Sequence, residues 1–292
     1  MPLLEKFSVA GQLKSGLGHV GKDPTSVVFE KLNSATEGVV EGRTTILAGT
    51  NNYLGLTFDP DCIAAGVAAM QAFGTGTTGS RMANGSYAAH GALEAELADL
   101  FQCTNAMVFS TGYAANLGVL TALLGKGDAV LLDSDAHASL YDGCRMSDAD
   151  IYRFKHNDVQ SLEKRMARLG DRARRCLIVV EGMYSVLGDC APLKEIAEIK
   201  ERFGARLLVD EAHSLGVYGE RGCGVAEAEG VLDKVDFTVG TFSKSLGSMG
   251  GFCVSENDVL GLFRYVSRPF MFTASPSPAV MATTREALKQ LR

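Results

Sequence analysis

Short apolar runs rich in valine and leucine alternate along this chain with longer segments in which apolar residues recur at helical spacing. This alternation is typical of a mostly parallel β-sheet with helices packed on both faces. Seven runs have the length and composition of buried strands, namely Ala106–Phe109, Ala129–Leu132, Ile151–Phe154, Cys176–Glu181, Arg206–Asp210, Asp236–Gly240 and Gly251–Ser255. The pattern therefore predicts an α/β fold with a seven-stranded sheet flanked by helices.

The pattern also divides the chain. Residues 1–45 show little strand pattern and are expected to form an N-terminal arm ahead of a large domain over residues 46–275. Pro276 and Pro278 then precede a helical segment, so residues 276–292 are expected to begin a C-terminal domain. Several predicted strands end in a polar residue or a glycine, and ligands of open α/β sheets bind beyond the carboxyl ends of the strands.

Composition narrows the class of protein. A chain of 292 residues with 46% hydrophobic and 21% charged residues is typical of a globular protein. The net charge of -6 and the lack of a lysine or arginine run argue against nucleic acid or an anionic membrane as the main partner. Without a long apolar segment or a signal-peptide pattern, the chain is expected to be cytoplasmic. Seven scattered cysteines without a C-x-x-C pair predict reduced thiols and no metal site.

Two motifs suggest nucleotide binding and are set aside. The glycines of residues 74–79 fit the dinucleotide fingerprint G-x-G-x-x-G, but the preceding segment Cys62–Phe73 is alanine-rich and has helical spacing. Because the fingerprint must follow a strand, these glycines are expected to form a loop between two helices. Asp210-Glu211-Ala212-His213 spells the D-E-A-H box of an ATPase, yet the chain has no G-x-x-x-x-G-K-[ST] phosphate loop.

The most informative motif places a lysine just after a predicted strand. Lys244 follows Thr241-Phe242-Ser243, and Asp210 ends an earlier predicted strand. Pyridoxal phosphate (PLP) needs a lysine to hold its aldehyde and a carboxylate to hold its ring nitrogen. The pair therefore indicates a PLP enzyme in which Lys244 also acts as general base. Taken singly, an exposed lysine and a helix-capping aspartate are the alternatives.

Other residues follow predicted strands in an order that suits the same cofactor. Gly112 precedes a helical run over residues 114–124, and backbone amides at such a helix start bind phosphate. His137 is placed to stack on the pyridine ring, and His213 to reach the ring's phenolic oxygen. A plain strand-to-helix turn at Gly112 and a loop histidine with a structural role at His137 are the alternatives.

With these motifs the chain resembles the α-oxoamine synthases, fold-type I PLP-dependent transferases that join an amino acid to an acyl thioester with loss of carbon dioxide. The resemblance spans nearly all of the chain, and its segments are Leu47–Leu56, Glu181–Asp189, Gly240–Ser245 and Phe270–Ser275. The Ser-Lys pair at Lys244 and the leucine before Gly188-Asp189 are most similar to the serine palmitoyltransferase branch.

The resemblance implies a role for each residue that matches a family motif. The resemblance implies that Gly112 and Tyr113 contact the cofactor, that His137 stacks on its ring and orients the substrate, and that Ser185 and His213 contact the ring's oxygen side. It implies that Asp210 pairs with the ring nitrogen, that Thr241 and Ser243 contact the phosphate, and that Lys244 forms the Schiff base. It also implies that Thr273 contacts the phosphate in the opposite subunit and that Asn52 lies near the substrate. A homodimer with a shared active site is implied as well.

The implied reaction condenses L-serine with a long-chain acyl thioester, such as palmitoyl-CoA or an acyl carrier protein conjugate, to give 3-ketosphinganine in the first step of sphingolipid synthesis. A sister synthase that uses glycine or alanine, of the 8-amino-7-oxononanoate synthase or 2-amino-3-ketobutyrate ligase type, is an alternative, as is a non-catalytic homologue. Family members continue into a C-terminal domain of about 100 residues. Most of that domain is expected to be missing here, and with it an arginine that the resemblance assigns to the amino acid's carboxylate.

Overall fold

The computed structural model describes residues 3–19 and 23–291 and divides the chain into two compact units, Met1–Thr50 and Asn51–Arg292. The domain ranges expected from the sequence also include residues 1, 2, 20–22 and 292, which lie outside the described residues. Those ranges stay predictions.

Among its described residues, the smaller unit contains one α-helix and a three-stranded antiparallel sheet in the order β1-β2-β3. Its elements are α1 (Ser8–His19), β1 (Phe29–Leu32), β2 (Glu37–Val40) and β3 (Arg43–Ile46). The expectation of little strand structure in this region is wrong. β1 and β3 are exposed along their whole length, so they lack the apolar alternation by which a half-buried strand is found in a sequence.

The larger unit contains the remaining helices and strands. Its strands are β4 (Asn105–Phe109), β5 (Ala129–Asp133), β6 (Asp150–Phe154), β7 (Cys176–Glu181), β8 (Arg206–Asp210), β9 (Phe237–Thr241) and β10 (Gly251–Ser255). Its helices are α2 (Pro60–Phe73), α3 (Ala88–Phe101), α4 (Gly112–Leu123), α5 (Ala138–Arg145), α6 (Val159–Leu169), α7 (Leu193–Phe203), α8 (Val225–Ala228), α9 (Val259–Leu262), α10 (Arg268–Met271) and α11 (Pro278–Leu291).

The seven strands form one sheet in the order β4-β10-β9-β8-β7-β5-β6, which confirms the predicted α/β fold. β10 is antiparallel to both of its neighbours, whereas the other pairs are parallel. The observed bounds differ from the predicted ones by at most one residue at each end. The carboxyl ends of β5, β7, β8 and β9 therefore lie along one edge of the sheet.

Helices cover both faces of the sheet, and β7 shows how the sequence encodes this. All six residues of β7 are buried. Ile178 and Val180 pack in a cluster with residues of α6 and α7, whereas Leu177 and Val179 pack in another with residues of α4 and α5. A strand covered on both faces reads as an unbroken apolar run, which is how β7 was recognised.

A third cluster joins α2, α3 and α11 to the sheet, with Met281 and Leu288 of α11 packed among residues that include Leu93 and Leu97 of α3. The glycine-rich residues 74–87 connect α2 to α3, so the prediction of a loop between two helices is confirmed. A Cβ atom added to Gly85 would lie 2.2 Å from the carbonyl oxygen of Gly79, so glycine permits this close approach.

Within the described ranges, no helix combines the length and the apolar character needed to cross a membrane. The same residues contain no group of three or more His, Cys, Asp or Glu side chains arranged to hold a metal ion. All seven cysteines are free thiols.

Candidate active site

A cavity of about 290 Å³ lies at the carboxyl ends of the central strands. Eight of the residues predicted from the sequence line it, namely Gly112, Tyr113, His137, Asp210, His213, Thr241, Ser243 and Lys244. They come from the start of α4 and from the ends of β5, β8 and β9 or the residues just after them. The fold thus brings together side chains that are far apart in the sequence, at the edge where parallel sheets bind ligands.

One wall of the cavity is the start of α4. Thr111 caps this helix by accepting a hydrogen bond from the backbone N–H of Ala114 at 3.0 Å. The first N–H groups of a helix, here those of Gly112 and Tyr113, have no acceptor within the helix. A Cβ atom on Gly112 would lie 2.8 Å from Cβ of Thr241, so glycine allows the helix start to approach the end of β9. This wall offers backbone donors to an anion.

Two hydroxyl groups extend the same wall. The hydroxyl of Thr241 donates to the carbonyl oxygen of Gly250 at 2.8 Å, and its oxygen lies 2.8 Å from Oγ of Ser243. Because the Thr241 hydrogen is engaged with Gly250, Ser243 is the donor in the contact between the two hydroxyls, and both residues line the cavity. The Tyr113 hydroxyl donates to Asp142 instead and so leaves the phenol ring at the cavity wall.

Asp210 lies on the floor of the cavity and is 4% exposed. Its Oδ2 accepts a hydrogen bond from Nδ2 of Asn116 at 2.7 Å, and its Oδ1 accepts one from the backbone N–H of Ala212 at 2.9 Å. These two donors fix the plane of the carboxylate. Oδ1 of Asn116 is buried and has no hydrogen-bond partner among the described residues, which leaves an unused acceptor beside the cavity.

Glu181 ends β7 and pairs in register with Asp210 of β8, which places a second buried carboxyl group on the cavity floor. Its Oε1 accepts a hydrogen bond from the backbone N–H of His137 at 2.6 Å. Burial, followed by the nearby charge of Asp210, raises the pKa of Glu181 to about 8. The raised pKa favours the protonated form of Glu181, and the hydrogen bond from His137 ties the His137 loop to the floor of the cavity.

Burial lowers the pKa of Lys244, although the negative charge of Asp210, and that of Glu181 when it is ionised, oppose that effect. A lowered pKa increases the fraction of neutral amine, which is the nucleophilic form. Burial, with the positive charge of Lys244 next in weight, also lowers the pKa of His213 to about 4. The neutral ring of His213 has its Nδ1 2.7 Å from the hydroxyl oxygen of Tyr53.

The remaining predicted residues lie outside this cavity. Ser185 lines a neighbouring cavity of about 510 Å³, to which His213 also contributes. Thr273 lies in a narrow cleft with Arg81 and Phe270. Asn52 donates from Nδ2 to the hydroxyl of Thr57 at 2.7 Å, whereas its Oδ1 is buried and has no partner among the described residues.

Sequence reasoning did not assign a role to Glu181, Asn116 or Tyr53. Glu181 was detectable, because it ends a predicted strand as Asp210 does. Asn116 lies one helical turn after Gly112 and so shares a face of α4 with it, a spacing that could have been used. Tyr53 had no usable signal, since its partner His213 is 160 residues away along the chain.

The residues around the cavity fit PLP. The oriented carboxylate of Asp210 could pair with the ring nitrogen, and the amine of Lys244 could bond to the aldehyde. The first backbone amides of α4 and the Ser243 hydroxyl could bind the phosphate. The close approach of Gly112 to Thr241 and the unpartnered Oδ1 of Asn116 are features of this structure that a bound polar group would explain.

Comparison with known proteins agrees with this geometry. The family model for aminotransferase class I and II matches residues 43–291. A serine palmitoyltransferase of Caulobacter vibrioides is 57% identical over 100% of this chain and 72% of its own length. A serine palmitoyltransferase structure from S. paucimobilis, with bound PLP and myriocin, is 49% identical, with a TM-score of 0.97 over 100% of this chain and 73% of its own.

A more distant relative is the 8-amino-7-oxononanoate synthase of Geobacter metallireducens, which is 41% identical over 88% of this chain and 65% of its own length. The chain thus spans about two thirds to three quarters of the length of the relatives it matches. The chain belongs to the class I and II aminotransferase family of PLP-dependent enzymes, and its close relatives there are serine palmitoyltransferases.

Proposed function

We propose that this chain binds PLP in the cavity at the strand ends and acts in the condensation of L-serine with a long-chain acyl thioester such as palmitoyl-CoA, which releases carbon dioxide and gives 3-ketosphinganine. The observation that carries the proposal is the placement of Lys244 and Asp210 in one cavity of a chain that is 57% identical to a serine palmitoyltransferase. The identity to an 8-amino-7-oxononanoate synthase is lower, at 41%.

PLP, when bound, supplies an electron-withdrawing ring that makes the Cα–H of an attached amino acid acidic. The chain's own residues would then handle the proton. Nζ of Lys244 is the base for the Cα proton, and its lowered pKa favours the neutral form that can accept it. The carboxylate of Asp210 would hold the ring nitrogen in its protonated state, oriented by Asn116 and Ala212.

The other proposed roles follow from positions around the cavity. The amides of Gly112 and Tyr113, with the hydroxyls of Thr241 and Ser243, would bind the phosphate. In a separate set of contacts, His137 would cover the ring face and orient serine, and Ser185 and His213 would face the ring's oxygen side. With a pKa near 4, His213 would serve there as a neutral hydrogen-bonding group.

Substrate binding has two supports outside the PLP cavity. Asn52 keeps a buried Oδ1 without a protein partner, which suits a donor group of the substrate. The cavity beside Ser185 is lined in part by Leu54, Met183 and Val217, so its walls suit an acyl chain.

The test is spectroscopic and then chemical. The purified protein is mixed with PLP, its visible absorption band is recorded, and serine, glycine and alanine are added in separate titrations. Serine is expected to change the band, and palmitoyl-CoA with serine is expected to release free thiol. Lys244→Ala should lose the lysine-bound band and reduce turnover by about 10²- to 10⁴-fold or more, whereas Lys126→Ala, on the surface between α4 and β5, should change neither.

Other results would redirect or overturn the proposal. A response to glycine or alanine but not serine would assign the chain to a sister synthase. A visible band that no amino acid changes would favour a non-catalytic homologue. Absence of any PLP band from a folded protein would contradict the PLP site itself.

We also propose a homodimer in which Thr273 contacts the phosphate of the opposite subunit. Thr273 lies outside the PLP cavity of its own chain, as such a role requires. Mixed dimers of Thr273→Ala and Lys244→Ala subunits should regain activity, because one of the two shared sites is then intact. Failure of complementation in dimers shown by mass photometry would place Thr273 in its own subunit's chemistry.

A cytoplasmic location is proposed as well, since seven free thiols suit a reducing compartment.

A further inference from the structure

His156 lies between two aspartates, one at the end of β5 and the other in the loop between β7 and α7. Its Nδ1 is 2.9 Å from Oδ1 of Asp133, and its Nε2 is 3.0 Å from Oδ2 of Asp189. The imidazole packs edge-on against the ring of Tyr184, with 4.4 Å between the ring centroids. Both ring nitrogens are therefore engaged, and the ring plane is fixed by an aromatic neighbour.

Asn157 reinforces the same link. Its backbone N–H donates to Oδ2 of Asp133 at 3.0 Å, and its Nδ2 donates to Oδ2 of Asp189 at 3.1 Å and to the carbonyl oxygen of Cys190 at 3.0 Å. Its φ of 51° lies in the left-handed region, where asparagine is among the better tolerated residues. We call His156 and Asn157 the clamp.

The clamp joins the two loops that carry proposed PLP contacts. Asp133 is the last residue of β5, and the loop that follows contains His137. Asp189 lies in the loop between β7 and α7 that contains Ser185, and its carbonyl oxygen accepts a hydrogen bond from the backbone N–H of Tyr184 at 2.9 Å. Neither clamp residue lines the PLP cavity, so any effect on the site is exerted through these loops.

The number of protons on His156 decides how many of these contacts can form. A neutral imidazole has one N–H donor and one lone-pair nitrogen, whereas an imidazolium has two donors. Both partners are carboxylates, which only accept, so the observed geometry requires the imidazolium. The titratable groups that face His156 are Asp133, Asp189, Tyr184 and Asp135, whose Oδ2 is 4.0 Å from Nδ1. Burial alone would lower the pKa of His156, but the hydrogen bonds with Asp133 and Asp189 raise it.

We propose that protonated His156 is a positioning residue that holds the His137 loop and the Ser185 loop together, and that on losing its proton it keeps its hydrogen bond with Asp133 and loses the one with Asp189, which Nδ2 of Asn157 still contacts. The two aspartates differ in how unfavourable the loss of the hydrogen bond to His156 would be. The Asp133 side chain is 0% exposed, so its carboxylate depends on protein donors, whereas the Asp189 side chain is 46% exposed and has water as an alternative. The remaining N–H therefore stays on Asp133. The link from this clamp to catalysis rests on the proposed function.

The first experiment tests the clamp in the protein without PLP. The chain has five histidines, and the NMR signals of His156 are assigned by their loss in His156→Gln. The imidazole is expected to titrate above its ordinary pKa of about 6.5. Asp189→Asn should lower this pKa clearly, because it removes a hydrogen-bonded charge. The matched control is Asp135→Asn, which removes a charge 4.0 Å away without a hydrogen bond and should lower the pKa less.

Titration of His156 at or below 6.5, or equal shifts from Asp189→Asn and Asp135→Asn, would overturn the proposal whatever the protein does with PLP. Hydrogen exchange of residues 182–192, corrected for intrinsic rates, gives a second readout. Exchange there is expected to increase as His156 deprotonates, and in His156→Gln it should be high at every pH.

The second experiment tests the effect on the site. The serine concentration that half-saturates the change in PLP absorption is measured from pH 6.5 to 9 for wild type and His156→Gln. The glutamine amide is uncharged and offers one donor nitrogen and one acceptor oxygen, much as neutral histidine offers one donor and one acceptor nitrogen, so the variant should bind serine several-fold more weakly at pH 6.5 and equally at pH 9. A constant ratio across this range would contradict the role in positioning. Failure of both proteins to bind PLP would contradict the proposed function, while the NMR titration would still decide the clamp.

Discussion

Glu181 and Asp210 stand side by side on the cavity floor, yet they have opposite surroundings. Asp210 receives two hydrogen bonds from nearby N–H groups, which stabilise its anion. Glu181 receives one and is deeply buried, and its pKa is raised to about 8. The raised pKa of Glu181 favours its protonated form, so the two adjacent carboxyl groups can serve different tasks.

Glu181→Gln is therefore expected to keep PLP binding close to that of wild type. The amide is neutral, as the protonated acid is, and its oxygen can still accept from the backbone of His137. Glu181→Ala removes the protein acceptor of that N–H and so frees the His137 loop, which should weaken PLP binding about tenfold. Absorption titrations with PLP measure both variants, and equal weakening in the two would show that charge, not the link to His137, is what matters.

Thr78 shows a second effect of a single residue. It has a φ of 52°, a conformation that is unfavourable for a β-branched side chain. Asparagine tolerates this region better, so Thr78→Asn is expected to raise the free energy of unfolding by about 1 kcal/mol. Urea denaturation measures this change in the free energy of unfolding. The control is Thr75→Asn, which lies in the same exposed loop without a positive φ and should change the midpoint little.

Among the elements, α4 links the stability of a helix to the binding of an anion. Thr111 caps it, and its first turn faces the cavity. The cap engages the N–H of Ala114, and by fixing the first turn it holds the N–H groups of Gly112 and Tyr113 in place for a phosphate.

Thr111→Ala should lower stability by about 1 kcal/mol and also weaken PLP binding, since the first turn loses its cap. The matched control is Asp59→Ala, which removes the cap of α2 (from Asp61 and Cys62 N–H) and should lower stability similarly without changing PLP affinity. Gly112→Ala is expected to impair PLP binding further, because its Cβ would press on Thr241. Equal PLP affinity in all three variants would exclude α4 as the phosphate site.

The elements also show how far the sequence could predict the fold. β7, β8 and β10 were predicted with their observed bounds, because nearly every residue in them is buried and each strand is a short apolar run that ends in a polar residue. β1 and β3 were missed because exposed strands carry no such signal. The same physics limits the site. Lys244 and Asp210 were found from strand ends, whereas the contact of Tyr53 with His213 depends on how distant segments fold together.

At the scale of the whole molecule, several buried groups make stability depend on pH in the same direction. The pKa values of Glu181 and Glu211 are raised to about 8 and about 7, mainly by burial, and that of His156 is raised as well. A raised pKa means that the folded chain binds more protons than the unfolded chain. The stability that such a group contributes is fully present below its pKa in the unfolded chain and is lost as pH rises through its pKa in the folded chain.

The protein without PLP is therefore expected to lose stability between pH 6.5 and 8.5. Urea denaturation at several pH values measures the decline. Glu181→Gln should make it shallower, because the amide does not titrate. An unchanged slope in this variant would mean that Glu181 is already ionised at neutral pH in the folded chain.

The burial of the thiols has a practical consequence. Burial raises the pKa of every cysteine, to about 12 for Cys62, Cys144, Cys176 and Cys223. Since the thiolate is the reactive form, the native cysteines should react slowly with maleimide dyes near neutral pH. Val186 is 93% exposed and lies beside Ser185. A fluorophore on Val186→Cys would therefore report on the Ser185 loop in the native chain, without prior removal of the natural cysteines.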